Sequence, residues 1–234
     1  ITNCTFSGNS AKYGGGIFNN WYSLPTITNC TFISNQVIND GGGVYNDNYS
    51  SPLISNCIFT ANQASNNGGG LYNWNSSPEI TNCTFSDNQA SNSGGGIYNF
   101  YSSSPTITNC IMWDNTAPIG PEIALYSTAL PSILTISYSD VQGGPTTGVY
   151  VDPGCTLNWG AGMIGELPED DPLFETGPGG NYYLRQPPDQ SPPISPCVDA
   201  GSDTAVNLGM DDKTTSTNGD LDSGWVDMGY HYEP

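Results

Sequence analysis

The chain has 234 residues, with 22 acidic side chains, three basic ones, one histidine and a formal charge of −19. That balance argues against nucleic acid and anionic membrane as partners, because almost no cations are present to replace counterions. No apolar run is long enough to span a bilayer, so membrane insertion is not expected. The acids are uneven, five in 1–117 and seventeen in 118–234, so the first half is nearly neutral and rich in Asn, Ser, Thr and Gly. This composition fits an extracellular setting.

From the start of the chain, Gly-Gly-Gly, an aliphatic residue, an aromatic one and Asn recur at 14–19, 41–46, 68–73 and 94–99. Each block is followed by Pro and then Ile-x-Asn-Cys, and Cys4, Cys30, Cys57, Cys83 and Cys110 keep a spacing of 26 or 27. A repeat of this length is one structural unit stacked on copies of itself. No stretch places apolar residues at i, i+3, i+4 and i+7, so helix is not expected. The short apolar runs between Gly, Asn, Ser and Pro predict short strands separated by turns. Alternation puts Cys30 and Phe32 on one face and Thr31 on the other; Val44 faces inward and Tyr45 outward. Asn29 breaks the alternation between Ile27 and Cys30. Asn tolerates left-handed backbone, so a bend is predicted there and at Asn3, Asn56, Asn82 and Asn109. Stacked about 4.8 Å apart, these amides are expected to form a hydrogen-bonded column. Three short strands and three turns per 26- or 27-residue coil make an all-β parallel solenoid.

Coils run to about residue 117. A degraded coil follows, interrupted by Pro118, Pro121 and Pro131, and 133–141 reads as a further strand of the stack. Residues 143–195 read as loops, with turn chemistry at Gly143-Gly-Pro, Gly177-Pro-Gly-Gly and Pro187-Pro. Val149-Tyr-Val and Tyr182-Tyr-Leu-Arg are expected as short strands covering the last coil. The division is therefore 1–150 for the coils and 151–234 for a loop-rich acidic cap. The chain starts at Ile1 inside a repeat, and an open coil there is expected either to reflect trimming or to be covered by another molecule. The cysteine column reads as small buried hydrophobes, since parallel side-chain vectors disfavour bridging and no His interleaves for metal. Cys155 and Cys197 lie in Gly/Pro-rich surroundings, where a disulfide stapling the cap is expected.

The Ile-Thr-Asn-Cys-Thr-Phe and Gly-Gly-Gly-Ile-Tyr-Asn blocks resemble the right-handed parallel β-helix repeats of bacterial secreted and surface proteins. These are of the polymorphic-outer-membrane-protein type and, more distantly, of the pectate-lyase-like fold. The resemblance covers about residues 1–150 and implies a right-handed coil. Asp171-Pro-Leu-Phe, Tyr183-Leu, Ser195-Pro-Cys-Val-Asp-Ala-Gly and Val226-Asp-Met-Gly-Tyr-His-Tyr are similar to a segment that closes such helices in large extracellular proteins. The catalytic residues of the family's enzymes have no counterpart here.

Four candidate sites remain. Catalysis needs carboxylates paired across a cleft or a cationic base; Asp40 and Asp47 flank one Gly-rich strand, Lys12 is the sole cation of the coils, and His231 reads as a packed or exposed terminal residue. Trp21, Tyr22, Tyr49, Trp74, Phe100 and Tyr101 form an aromatic ridge suited to sugar rings or a protein partner, or else to stacking on itself. Asn218, Asp220, Asp222 and Asp227 place oxygen ligands as at the start of a calcium loop, though the terminal bidentate Glu is absent. Asn48 and Asn75 match the Asn-x-Ser/Thr glycosylation pattern in turns expected to be exposed. The leading expectation is a surface or fibre-forming structural protein whose solenoids associate head to tail. The alternatives are a carbohydrate-binding adhesin or inactive lyase-like module, and a polysaccharide lyase or hydrolase.

Overall fold

A computed structural model describes residues 1–186 and 193–233 as a parallel β-solenoid of about six turns with almost no helix. Three main sheets run its length. The first stacks Thr26–Thr28, Leu53–Ser55, Glu79–Thr81, Thr106–Thr108, Ile133–Ser137 and Thr156–Trp159. The second stacks Thr5–Ser7, Thr31–Ile33, Ile58–Thr60, Thr84–Ser86, Ile111–Trp113 and Asp140–Val141, and the third runs from Ile17–Asn19 through Val44–Asp47 and Leu71–Trp74 to Val149–Val151. A narrow fourth strip of two-residue strands, from Ser10–Ala11 to Gln89–Ala90, lies between the second and third sheets.

The bends follow from single residues. Asn3, Asn29, Asn56, Asn82 and Asn109 all have φ between 47° and 54°, which turns the chain from the first sheet to the second as the broken alternation predicts. Ser34, Ala61, Asp87 and Asp114 are also left-handed and turn it again towards the strip. Between the bends Ile27, Cys30, Phe32 and Val44 point inward and are fully buried. Phe6, Phe32, Phe59 and Phe85 stack nearly parallel, with ring centroids 4.9, 4.6 and 4.4 Å apart. Burial of each Phe contributes about 1.5–3 kcal/mol. The Gly-rich strand makes room for this column. Gly41 is left-handed, and a Cβ on Gly42 would lie 2.2 Å from the carbonyl oxygen of Gly69 in the next coil; only Gly allows coils to approach so closely.

Two asparagine ladders run through the molecule, and neither is the expected one. The backbone N–H and side-chain amide of Asn35 both donate to Asn62 Oδ1 at 3.1 and 2.9 Å, and the pattern repeats from Asn9 through Asn88 to Asn115. A second ladder links Asn19, Asn46, Asn73 and Asn99 at 2.8 Å per step. In the Asn29 column only Asn56 Nδ2 to Asn29 Oδ1 is made, at 2.9 Å. The bend leaves that column at an outer corner, where Asn56 and Asn109 turn to the C-terminal segment instead.

The stack continues past residue 150. Val149–Val151 pairs in register with Ile123–Tyr126, Thr156–Trp159 pairs with Ile133–Ser137, and Ile164 bridges Asp140. These segments are rungs of the solenoid, not loops and not a cover over its last coil. Among the described residues, those of the C-terminal segment pack on the side of the solenoid. An antiparallel hairpin, Phe174–Gly177 with Gly180–Leu184, turns at Gly177-Pro-Gly-Gly as expected. Together with it, described residues from 193 on form a strap along the outside of the second sheet. Pro187-Pro falls outside the described residues. Gly229 N–H donates to Asn109 O at 2.9 Å, Tyr230 N–H to Thr84 Oγ1 at 3.1 Å, and His231 N–H to Asn56 Oδ1 at 2.7 Å. Leu184, Cys197 and Met228 pack on Ile111 and Trp113, and Tyr183 and Tyr232 pack with Ile58. The reason is local: the outer face of the second sheet carries large apolar residues in these coils, and covering them removes apolar area from water.

Candidate functional site

The corner after the third sheet is built from residues in an unfavourable backbone conformation. Trp21 and Tyr22, Asn48 and Tyr49, and Tyr101 and Ser102 are consecutive left-handed pairs, and Asn75 is left-handed alone. Such a conformation costs a non-glycine residue roughly 1–2 kcal/mol. The rings at this corner stand out from the coil: Trp21 is 69 % exposed, Tyr22 66 %, Tyr49 52 % and Trp74, at the end of its strand, 42 %, while Phe100 and Tyr101 are half-buried. Tyr22 and Tyr49 stack at 5.0 Å and 7°, so each covers one face of the other. Trp74 meets Phe100 at 6.2 Å and 59°, and Phe100 meets Tyr101 at 6.1 Å. Among the described residues Trp21 has no ring partner. The ridge is thus part self-stacked ladder and part free aromatic surface.

A second aromatic column supports it. Tyr45, Tyr72, Tyr98 and Tyr126 stack at 4.6, 5.0 and 5.4 Å on the outside of the third sheet. Tyr45 points out of the coil as expected, but the ladder itself buries it. The Asn-x-Ser matches sit at the same corner. Asn48 and Asn75 are half-buried rather than in open turns. The hydroxyl of the Asn48 pattern is interior, Ser50 Oγ accepting from Ser23 N–H at 3.2 Å, whereas that of the Asn75 pattern, Ser77, is exposed and accepts from Ser104 N–H at 2.9 Å.

The expected calcium loop separates into two groups. Asn218 Oδ1 accepts from Ser216 Oγ at 2.7 Å, and Asn218 Nδ2 donates to Asp220 Oδ2 at 2.8 Å, both near the surface. Asp222 and Asp227 are buried under the strap. Asp222 Oδ2 accepts from Asp227 N–H at 3.1 Å and faces His231 Nε2 at 2.8 Å. Asp227 accepts from Asp199 N–H at 2.6 Å, from Gln186 Nε2 at 2.9 Å and from Thr215 Oγ1. Asp222 Oδ2 and both oxygens of Asp227 are therefore taken by protein donors. No group of three or more His, Cys, Asp or Glu among the described residues is arranged to hold a metal. These residues do not fit calcium as a set.

The expected disulfide is likewise not formed. Cys155 accepts from Ser132 N–H at 3.4 Å in the stack, whereas Cys197 is buried against the outer face of the second sheet, its thiol donating to Asp140 Oδ2 at 3.2 Å; both are free thiols. Extension of the solenoid past residue 150 keeps Cys155 in a rung, away from the strap. The cysteine column is buried from Cys30 to Cys110, with Cys4 exposed in the first coil.

Sequence reasoning missed the buried acids. Burial pushes the Asp227 carboxyl up to about 6, helped by neighbouring Asp222. Burial pushes Glu122 up to about 8 against the hydrogen bonds it accepts from Asn115, where it closes the first Asn ladder. Burial also raises Asp140. His231 is fully buried; Nδ1 lies 3.1 Å from Gly229 O and Nε2 2.8 Å from Asp222 Oδ2. The available signal was the alternating Val226-Asp-Met-Gly-Tyr-His-Tyr run, which seats its residues against the sheet.

Residues 17–159, more than half of the chain, match the family described as right handed beta helix region. Residues 3–20 match the Chlamydia polymorphic membrane protein (Chlamydia_PMP) repeat. No curated protein and no solved structure gives a match. The in-register parallel coils and the family match together place this chain in the right-handed β-helix family.

Proposed function

We propose that this protein is a rigid surface-displayed or secreted rod whose aromatic corner makes it a carbohydrate-binding adhesin. The exposed line of Trp21, Tyr22, Tyr49 and Trp74 over successive coils, the first three on left-handed backbone, carries the reading. Flat apolar faces beside Asn and Ser side chains suit sugar rings, which are apolar on their faces and polar at their edges. The polymorphic membrane protein repeat at 3–20 and the β-helix family support display outside the cell. A lyase or hydrolase reading has less support. Lys12 lies 5.4 Å over the Tyr13 ring, Arg185 pairs with Glu175, and Lys213 pairs with Asp212 and Glu233. The triple variant W21A/W74A/Y101A tests the adhesin: glycan binding falls at least roughly tenfold, the loss of a few aromatic contacts, and unchanged binding rejects it.

A specific observation favours fibre formation as a second reading. The last coil has half-buried Val151, Leu157, Trp159 and Met163, and its strands Val149–Val151 and Thr156–Trp159 have a neighbour on one side only. Another coil stacked there continues the solenoid, and a head-to-tail joint of that kind propagates into a filament. The joint is apolar in character, because Leu125 and Val151 stand where earlier coils carry Asn73 and Asn99. On this reading concentrated protein forms filaments and W159E stays monomeric; light scattering that shows a monomer at all concentrations rejects it.

A further inference from the structure

The strap brings a hydroxyl, a primary amide and a carboxylate into mutual contact. Gln186 follows the hairpin strand Gly180–Leu184, and Leu184 N–H donates to Thr215 O at 2.8 Å, which sets the two segments side by side. Thr215 and Asp227 are both buried. Gln186 Nε2 donates to Thr215 Oγ1 at 2.5 Å and to Asp227 Oδ2 at 2.9 Å, and the Thr215 hydroxyl donates to the same Asp227 Oδ2. The three groups therefore close a triangle. Asp227 is fixed in it by Asp199 N–H on Oδ1 and by its own N–H on Asp222 Oδ2. An amide C–N bond of ~1.33 Å puts the side-chain carbonyl carbon of Gln186 within about 4 Å of Thr215 Oγ1. That is close to the ~3–3.5 Å from which a bond can form.

We infer that Thr215 and Gln186 join in an ester cross-link that the protein makes itself, with Asp227 as the base. Asp227 Oδ2 takes the Thr215 hydroxyl proton as Oγ1 attacks the amide carbon of Gln186. The tetrahedral adduct collapses with loss of its C–N bond, and Asp227 returns the proton to the departing nitrogen. One O–H and one C–N bond break, one C–O and one N–H bond form, ammonia leaves, and nothing is oxidised or reduced. A single carboxylate oxygen serves both transfers because it already touches the attacking oxygen and the leaving nitrogen. A hydroxyl is a weak nucleophile until an adjacent base takes its proton. Burial pushes the Asp227 carboxyl up to about 6, which makes it a stronger base than an ordinary carboxylate and leaves it ionised at neutral pH. Fixed neighbours replace the bimolecular encounter that keeps alcohols from attacking amides in water, and burial shields the ester from hydrolysis. The link ties the hairpin to a strap segment 29 residues further on. The inference rests on the strap alone and not on the aromatic corner.

The test is the mass of the intact chain in denaturant, followed by digestion with trypsin. A linked chain weighs one ammonia less than its sequence requires. Trypsin cuts after Arg185 and after Lys213, so Gln186 and Thr215 fall in separate peptides, 186–213 and 214–234. The inference predicts that these two peptides stay joined and lack one ammonia. T215V and D227N are expected at full mass, with the two peptides apart. A wild-type chain at full mass, an ammonia loss located elsewhere, such as at Asn218-Gly219, or a link that survives T215V or D227N overturns the inference. The wild-type mass decides by itself, so a variant that fails to fold does not rescue the idea.

Discussion

Glu122 sits where a ladder of neutral amides ends on a carboxylate, and with two other buried acids it makes stability depend on pH. Its folded value of about 8, and about 6 for Asp227, lie above the usual carboxylate range near ~4. Asp140 is raised in the same direction by burial. Between roughly pH 4 and 8 the folded chain thus binds more protons than the unfolded chain, and stability falls as pH rises through that window. Thermal melting is expected to show a higher Tm at pH 5 than at pH 8.5, and E122Q is expected to flatten the slope above pH 6. A Tm that climbs with pH contradicts the assignment. Removing His231 takes away one hydrogen-bond partner of the buried Asp222, at a cost of about 1–3 kcal/mol. In H231A, hydrogen exchange is expected to speed up at Gly229 and Tyr230 while coil amides such as Ile80 keep their protection. At this scale the sequence was least legible. Nothing in the spacing of Asp222 and His231 shows that the strap folds both under itself, and an acid count cannot tell buried carboxylates from solvated ones.

At the scale of elements the reading was much better, because a coil is encoded locally. Alternation placed Ile27, Cys30, Phe32 and Val44 inside, and the interruption at Asn29 placed the bend. The Gln36–Val37 strip was missed because two residues cannot display a period of two. The hydrogen-bonded amide column was assigned to Asn29 rather than Asn35 because both recur at the same interval. What separates them is direction: Asn35 follows the left-handed Ser34 and turns inward, while Asn29 is itself the bend. Asn62 receives two donors from Asn35 and gives its amide to Phe32 O and Asn88 Oδ1. N62A strands those partners and is expected to cost roughly 3 kcal/mol or more in denaturant unfolding; a cost below ~1 kcal/mol contradicts a structural role for the ladder. Two glycines, Gly8 at the bend after Thr5–Ser7 and Gly42 in a Gly-rich block, make a paired prediction. Gly8→Ala meets open space and costs about 1 kcal/mol for its left-handed backbone. Gly42→Ala drives a Cβ into the carbonyl of the next coil, so the coils must separate and the loss is several-fold larger.

Across the whole molecule, the interior of the solenoid is filled with stacked rings, thiols and amides, and the proposed function rests on its outer surface. Among the described residues the strap covers one flank, the aromatic corner occupies another, and half-buried apolar residues line the last coil. The repeat made the solenoid legible and its six candidate ridge residues with it, since they recur once or twice per coil. The course of the strap was not legible, because its contacts join residues up to 175 positions apart and no period marks them. The central claim is that the corner built from Trp21, Tyr22, Tyr49 and Trp74 binds carbohydrate. The most direct measurement is binding of the intact protein and of W21A/W74A/Y101A to an array of immobilised glycans at equal concentration. The account predicts that the intact rod is retained on a subset of glycans and that the triple variant, still folded by circular dichroism, loses that retention. Equal retention of both proteins, or retention of neither, contradicts it.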